Sequence, residues 1–592
     1  MKKICYAVFL MLLVPAVLAA QTIVPVPSDN PPDIGHLNTL IQTAIDGGKL
    51  STTTFQLEAL GYYVLTGTIN IPAGQTLTIV APEPGTTQNG SLPQILWASS
   101  ASIDKTYMFN CTGNLNMKNV WVLYATTAGD QVGGSIIFQD DPTSLARKCT
   151  LEGCMLDYCP IANGGGSINI ACKHFIGHFT NCYWKNNTDR HFMYYGRALS
   201  YPFGTSDWHS DTVSFENCTF ANMGYVLMEE GNEYYDNVSF NHCTFLDVVM
   251  HSLEYGWWYK ISVNNCIFQN SESLGYIPVN TTAVDGPGSA TLAIDSIARF
   301  GYAVPFTEQD RRILFTHSSN LYDPWLVDWM KNNPFSKNKH TQRLDDEIPL
   351  PMPMLGKFTK RFFDTVDVNK VKVFPHMVCS NLDSTSNPLF IAPPTDTVKM
   401  KVFLQKKWDD ATDTSWAWRP ELSLNMVWPL VENLSYSNAT LKTFGMGGFP
   451  LGDLYHWWNP AFRPGATNFY TTWKAQAAAE RTRIKTWLET GKDGGTAVEE
   501  QPQIPGKFEL GQNFPNPFNP STQITYSLPE KSSVSLKVFN ILGAEMTTLY
   551  TGIQQAGDHS VTFDATRFAS GVYFYRLQAG NVTLTKKLLL MK

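Results

Sequence analysis

Six short segments of this chain align with one another, and their shared columns restrict the fold more than any other feature. LNMKNVWV, TLEGCML, HFTNCYW, VSFENCTF, VSFNHCTF and ISVNNCIF place Val120, Cys154, Cys182, Cys218, Cys243 and Cys266 in one column. The column before it holds Asn119, Gly153, Asn181, Asn217, His242 and Asn265. Apolar residues flank the pair: Met117, Leu151, Phe179, Phe215, Phe240 and Val263 on one side, Val122, Leu156, Trp184, Phe220, Phe245 and Phe268 on the other. Strand alternation runs up to the asparagine column, breaks there and resumes at the cysteine. Asparagine and glycine tolerate left-handed backbone, so that column is a tight bend between two short strands. The last two intervals, 25 and 23 residues, suit one coil of a parallel β-helix; the intervals of 34, 28 and 36 residues are coils carrying loops. Coils in such a solenoid stack at roughly 4.8 Å, and the stacked asparagines are expected to hydrogen-bond along the ladder.

The ladder decides how the cysteines are read. Ten follow residue 20, a number that in an exported protein suggests disulfides. Cysteines one coil apart in a column make strained bridges, and a line of thiols offers zinc no tetrahedral convergence. They read as buried free thiols acting as small apolar side chains, with no metal site and no cofactor; nothing in the sequence supports a calcium ion.

Residues 1–20, MKKICYAVFLMLLVPAVLAA, have the basic, apolar and small-residue parts of a signal peptide, and the apolar run is too short to span a bilayer comfortably. Without Lys2 and Lys3, 42 basic residues face 51 acidic ones, a formal charge of −9, and no basic stripe argues for nucleic acid. Charged residues are sparse at 16% while aromatics reach 13%. That balance suits a neutral or weakly acidic sugar polymer, although the plainer use of aromatic rings is to fill cores.

From about Gln21 to Pro394 the repeat pattern resembles the pectin-lyase-like family of right-handed parallel β-helix proteins, which implies an all-β solenoid. A helical apolar face of Leu37, Leu40, Ile41, Ala44 and Ile45, ended by Gly47-Gly48, is expected to cap its open bottom. YYVLTGTINIPAGQTLTIVAP follows as the first coils, and NPLFIAPP, Asn387 to Pro394, is similar to a late-coil segment of that family. ILFTHSSNLYDPWLVDWM reads as one further strand and an excursion, and Met352 and Met354 fall in a long insertion. The Trp- and Pro-rich stretch from Trp408 to Arg463 is grouped with the solenoid. A single amphipathic helix is expected from Trp473 to Leu488, with Trp473, Ala477, Ile484, Trp487 and Leu488 on one face and Gly491 as its stop, packed on the solenoid or over its far end. The resulting plan is a β-helix domain over 21–490, a Gly-, Pro- and acid-rich linker over 491–506, and a last domain over 507–592.

Alternating residues between turn signals make that last domain a small β-sandwich. Its sequence resembles the type A sorting domain of type IX secretion cargo. The matching positions are Asn513, Pro515, Asn516, Pro517, Phe518, Asn519 and Pro520, then Gly543, Gly557, His559, Asp564, Gly571, Tyr573, Tyr575, Lys586 and Lys587. The resemblance implies an immunoglobulin-like sandwich recognised by the outer-membrane secretion machinery, and a protein delivered to the cell surface or the medium.

For chemistry on the solenoid, the sequence offers one strip. Glu229 and Glu254 each lie eleven residues after a column cysteine, so they are expected to share an outward column in adjacent coils. Stacked carboxylates repel, raise one another's pKa and are able to cleave glycosidic bonds, so Glu229, Glu254 and His251 are the catalytic candidates. Asp189, Arg190, His191, His209, Asp211 and Glu230 are the binding candidates near the same strip; the competing reading is a solvated acidic face. Gln139-Asp140-Asp141, Asn187-Thr188-Asp189 and Arg483-Ile484-Lys485 are similar to polygalacturonase fragments but stand in the wrong order, without the Gly-His-Gly of that family. The favoured function is an exported, non-catalytic, monomeric β-helix that binds polysaccharide. The alternatives are a polysaccharide lyase or glycoside hydrolase and a structural or adhesive surface protein, the last disfavoured by a helix expected at each end.

Overall fold

In the computed structural model, the described residues are 21–132, 135–141, 146–159, 166–188, 196–201, 208–227, 234–250, 252–253, 258–273, 290–294, 296–297, 304–332, 351–408, 428–494, 508–513, 515–529, 531–554 and 557–591. The signal-like segment 1–20 lies outside them. The chain divides into two compact units, 1–494 and 495–592.

Each coil of the first unit has up to three strands, and all pair in parallel with the coils above and below. The first sheet climbs from Thr53–Gln56 through Asn114–Lys118, Phe175–Thr180 and Lys260–Asn264 to Met377–Asp383. The second climbs from Tyr62–Leu65 to Ile267–Gln269 and continues into Arg312–Leu321. A third, five-stranded sheet runs from Ile69–Ile71 to Arg197–Ser200. This is a parallel β-helix.

Register keeps the sequence columns intact. Leu151 pairs with Met117 and Phe179, Phe215 with Phe179 and Phe240, and Phe240 with Val263. Across the bend, Trp184 pairs with Leu156 and Phe220, and Phe245 with Phe220 and Phe268. All of these side chains are buried. Neighbouring rings stack: Phe215 on Phe240 at 4.7 Å, Phe245 on Phe268 at 4.4 Å. Each such pair adds about 0.5–1.5 kcal/mol to the burial itself.

The bend column is left-handed throughout, with φ of 58° at Asn119, 63° at Gly153, 57° at Asn181, 51° at Asn217 and His242, and 57° at Asn265. It extends to His317 (46°) and Asn381 (50°), where Ser318 and Leu382 stand in place of the cysteine. The asparagine amides do not form the expected ladder along this column. Asn119 Nδ2 donates to the carbonyls of Ala81 and Pro82, and Asn265 Nδ2 to Asn241 Oδ1 of the preceding coil at 2.9 Å. Three of the amides also meet a later segment: Asn181 Nδ2 donates to the Tyr470 hydroxyl at 3.1 Å, while Asn217 and Asn265 accept from the backbone N–H of Leu454 (3.3 Å) and Met446 (2.8 Å).

The ten cysteines among the described residues are free, and nine are buried. In the column, the Cys182, Cys218 and Cys243 thiols donate to the carbonyls of Leu151, Phe179 and Phe215 in the preceding coil. Burial pushes these thiols far above their ordinary pKa, so they stay protonated and unreactive.

A second left-handed column closes the second sheet: Asn186 (58°), Asn222 (59°), Asp247 (55°) and Asn270 (52°). Here side chains do bond between coils, Asn186 to Asp157 and Asn270 to Asp247, both at 2.8 Å. Asn222 donates to the carbonyl of Pro394, and the Thr395 hydroxyl donates to Asp247. Burial raises the Asp247 carboxyl to about 7 against the pull of those hydrogen bonds, and the neighbouring Asp323 adds to the rise.

The N-terminal helix, His36–Asp46, buries Leu37 and Ile41 in the solenoid core, with Leu40, Ala44 and Ile45 packed against it, as expected of a cap. The C-terminal end differs from expectation. Two helices, Phe469–Lys474 and Ala477–Thr490, replace the single one, and Gly491 ends the second at φ 70°. They lie on the flank of the solenoid: Ile484, Trp487 and Leu488 pack with Leu314 and Met446. At the last coil it is the helix Lys357–Asp364 that sends Phe362 and Phe363 into the core beside Phe315 and Met377.

NPLFIAPP is not a coil either. Phe390–Ala392 pairs antiparallel with Asn433–Tyr436, inside a strap that lies on the outward face of the second sheet. Trp428, Leu434, Leu451, Leu454, Trp457 and Tyr470 of that strap bury Trp121, Met155, Tyr183, Leu246 and Ile267 of the sheet.

Two outcomes follow from this packing. Alkylation of the native protein should label no more than the half-buried Cys379, and denaturation should expose all ten thiols to mass-spectrometric counting; finding no thiols in either state would refute the free-thiol column. The second outcome concerns Asp247. Its folded pKa lies above its unfolded one, so its contribution is complete below about pH 4 and is lost as pH rises to about 7. Asp247→Asn should remove that loss, on the order of 4 kcal/mol, and gain on the parent at pH 8 but not at pH 4. Urea midpoints of parent and variant that fall in parallel between these pH values would show that the carboxyl is not held neutral.

Candidate functional site

The strap removes one face from consideration. At its centre Asp453 caps the helix Leu454–Trp457, accepts from the Thr219 hydroxyl at 2.7 Å and pairs with His456 Nδ1 at 2.5 Å. The Trp457 indole donates to the same Thr219 oxygen. Beside them Glu432 meets Lys185 at 3.2 Å and the Tyr183 hydroxyl at 3.3 Å. Desolvation opposes the Glu432 charge, yet the Lys185 ammonium holds its carboxyl below the usual range. The cavity here, lined by Leu92, Met155, Trp428, His456 and Phe462, is about 20 Å³, room for one water and not for a sugar. These charges and rings fasten the strap to the solenoid.

The outward face of the first sheet remains open over its lower coils. Strand alternation and parallel register build a polar column there: Thr54, Thr78, Asn116, Thr150, His178, Ser214 and Ser239, one residue per coil. All seven are partly or fully exposed. His178 Nδ1 shares a hydrogen bond with the Ser214 hydroxyl at 2.9 Å, and burial followed by the Lys148 charge lowers its pKa. Higher up, the helix Ala477–Thr490 crosses this face and pairs Arg481 with Glu216 and Glu489 with Lys260 and Arg312.

A file of rings rims the open face where its strands begin. His174 precedes the strand Phe175–Thr180 with φ 58°, and the pairing of Phe175 with Ser210 sets it beside His209. The two imidazoles meet edge to face at 4.6 Å. His209 pairs in register with Tyr234 of the next coil and stacks on it at 5.2 Å, the two rings nearly parallel at 5°. Phe306 then bridges Tyr234 (5.9 Å) to Tyr259 (4.7 Å). The file therefore runs along the solenoid axis.

Asp211 follows His209 by two places on one strand, so both side chains leave the same face. Its Oδ1 lies 2.9 Å from His174 Nδ1 and 3.8 Å from His209 Nε2. One coil on, the Asp236 carboxyl is raised, first by burial and then by Asp211, against the pull of His209, His174 and Lys260.

Of the candidates from sequence, the structure brings together His209 and Asp211 and adds His174, which the repeat alignment does not reach. Asp189, Arg190, His191, Glu229, Glu230, His251 and Glu254 lie outside the described residues. The nearest described pair, Leu227 with Leu253, is one residue out of the 25-residue register on which the pairing of Glu229 with Glu254 rests. Arg483, on the helix Ala477–Thr490, pairs with Asp493 just beyond its end, and the Asp140 carboxylate accepts from the Lys173 backbone N–H.

The second unit is an antiparallel sandwich of a three-stranded and a four-stranded sheet. The NPFNP segment is built into it. Asn513 Nδ2 donates to the Pro515 carbonyl and the Thr522 hydroxyl, Asn516 Oδ1 accepts from Leu589 N–H, and Phe518 is buried against Phe563. Pro517 and Asn519 flank Phe518, and the Pro520 carbonyl accepts from Ala565 N–H. Gly571 and Tyr573 begin the strand Gly571–Ala579, where Tyr573 and Tyr575 pair with Leu588 and Lys586; Lys587 pairs with Phe574. The Tyr575 hydroxyl is clamped between Asn513 N–H and the Gly511 carbonyl.

Residues 512–591 match the secretion system C-terminal sorting domain family. No curated protein matches the chain. The sorting domain makes this a type IX cargo protein, exported across the outer membrane to the cell surface or the extracellular space by interaction with the type IX machinery. Removal of residues 508–592 in a host that has this machinery should therefore leave the protein inside the outer membrane. Fractionation followed by immunoblotting decides it, and unchanged surface or medium delivery would contradict the assignment.

Proposed function

We propose that the solenoid of this exported protein binds an extracellular polysaccharide, neutral or weakly acidic, across the open face of its first sheet. The observation that carries this reading is the meeting of two arrays at one edge: a column of hydroxyl, amide and imidazole groups repeating once per coil, and a file of rings along the same axis. Sugar rings stack on aromatic faces through their C–H surfaces and present hydroxyls sideways. A ligand chain lying along the axis would meet both arrays at once. Hydrogen bonds to hydroxyls that water also satisfies contribute modestly each, so repetition along several coils is what makes such a face bind. The strap supports the choice of face, since it fills the alternative one with its own tryptophans.

The test uses the secreted protein on a glycan array, followed by affinity electrophoresis on the polysaccharides it retains. Tyr234→Ala, which removes the half-exposed ring under His209, should weaken retention about tenfold, equivalent to about 1.4 kcal/mol, with little change in melting temperature. His178→Ala should weaken it less. Retention unaltered by both substitutions, at intact stability, would remove this face from the reading. Assay of the same polysaccharides for new reducing ends and unsaturated uronates separates binding from cleavage.

A further inference from the structure

The geometry points to a divalent transition-metal site of the zinc class, formed by His174, His209 and Asp211 at the head of the ring file. One ligand atom from each of these residues lies within 4.8 Å of the other two. A tetrahedral zinc ion with bonds of about 2.0–2.2 Å holds its ligand atoms about 3.4 Å apart. The 2.9 Å separation of Asp211 from His174 needs to open slightly, and the 3.8 Å separation from His209 needs to close slightly.

Three features show a site built rather than a chance meeting. His209 and Asp211 project from the same strand at i and i+2, which fixes their spacing. Flat stacking on Tyr234 orients the His209 ring, and its side chain is only 15% exposed. His174 is delivered from the adjacent coil by a left-handed residue, a backbone state that costs roughly 1–2 kcal/mol outside glycine. On the outer side, the exposed His174 leaves coordination positions for water or a ligand oxygen. Two imidazole nitrogens and one carboxylate oxygen favour zinc-class ions; calcium and magnesium seek six or more oxygens. The proposal stands whether or not the solenoid binds polysaccharide, because it concerns the ion alone.

The secreted protein, freed of metal with a chelator, is titrated with Zn²⁺ by calorimetry and with Co²⁺ by visible spectroscopy, with no glycan present. One equivalent of Zn²⁺ per chain is expected, with a rise in melting temperature at saturation, since binding favours the folded state. The Co²⁺ complex should show ligand-field bands without thiolate charge-transfer absorption. His174→Ala, which truncates an exposed side chain, and Asp211→Asn, which keeps shape, should each weaken binding more than about 100-fold while leaving the metal-free melting temperature unchanged. Zn²⁺ binding that persists in both variants, a thiolate band in the Co²⁺ spectrum, or no binding by the parent would overturn the site. Glycan retention measured in chelator tests the polysaccharide reading separately.

Discussion

The left-handed bend between the first and second sheets is the constraint on which the rest of the solenoid depends. A coil closes only if the chain turns sharply at the same place in every repeat, and one residue at φ near 55° makes that turn without adding length. The cost per residue is modest when the residue is asparagine or glycine. Once the turn is fixed, the residues on both sides have no freedom of register. The small side chain after the bend must point inward, and the rings beyond it stack on their counterparts one coil away. A slip of a single residue would turn each ring outward, so bend, thiol and ring columns select one another.

The same bend creates a demand that the solenoid does not meet alone. Turning the backbone leaves the asparagine side chains facing out beside a second sheet whose outer face is apolar, with Trp121, Met155 and Ile267 on it. A face of this kind in water is a liability. The strap answers both needs, since its backbone N–H groups and Tyr470 take the amides while its tryptophans cover the apolar surface. With that face covered, the polar column on the lower coils of the first sheet stays in contact with solvent.

Repetition made the solenoid legible from sequence. Strands, bend and inward columns recur with the same residue types, and each recurrence strengthens the reading of the others. The second bend column, Asn186, Asn222, Asp247 and Asn270, also repeats four places after the cysteines, but its mix of amide and carboxylate hides it from an alignment scored on Asn. The bend at His317 and Asn381 is obscured in the same way, by Ser318 and Leu382 in the cysteine position. The strap was not legible because its partner surface lies 148 to 340 residues earlier in the chain; nothing local in NPLF distinguishes a solenoid strand from an antiparallel pair on its flank. His174 is hidden in the sequence for a related reason. Its importance comes from the coil that follows, where His209 and Asp211 sit 35 and 37 residues later.

Free thiols in an exported chain raise a question that the coil geometry answers. The protein passes through an oxidising compartment, where unpaired cysteines in an unfolded chain form bridges. Adjacent column cysteines are separated by 23 to 36 residues, a spacing at which loop closure is easy and wrong pairing would be fast. The same separation is also the length of one coil, so the contacts that bury a thiol come from chain that is close in sequence. A solenoid folds by adding neighbours, and each added coil seals the thiol beneath it before distant cysteines need meet. Protonation by burial then removes the thiolate on which exchange depends. Cysteine serves in this column because it is small, apolar and able to donate weakly to a carbonyl of the preceding coil; alanine would leave a void and serine would bury a stronger polar group.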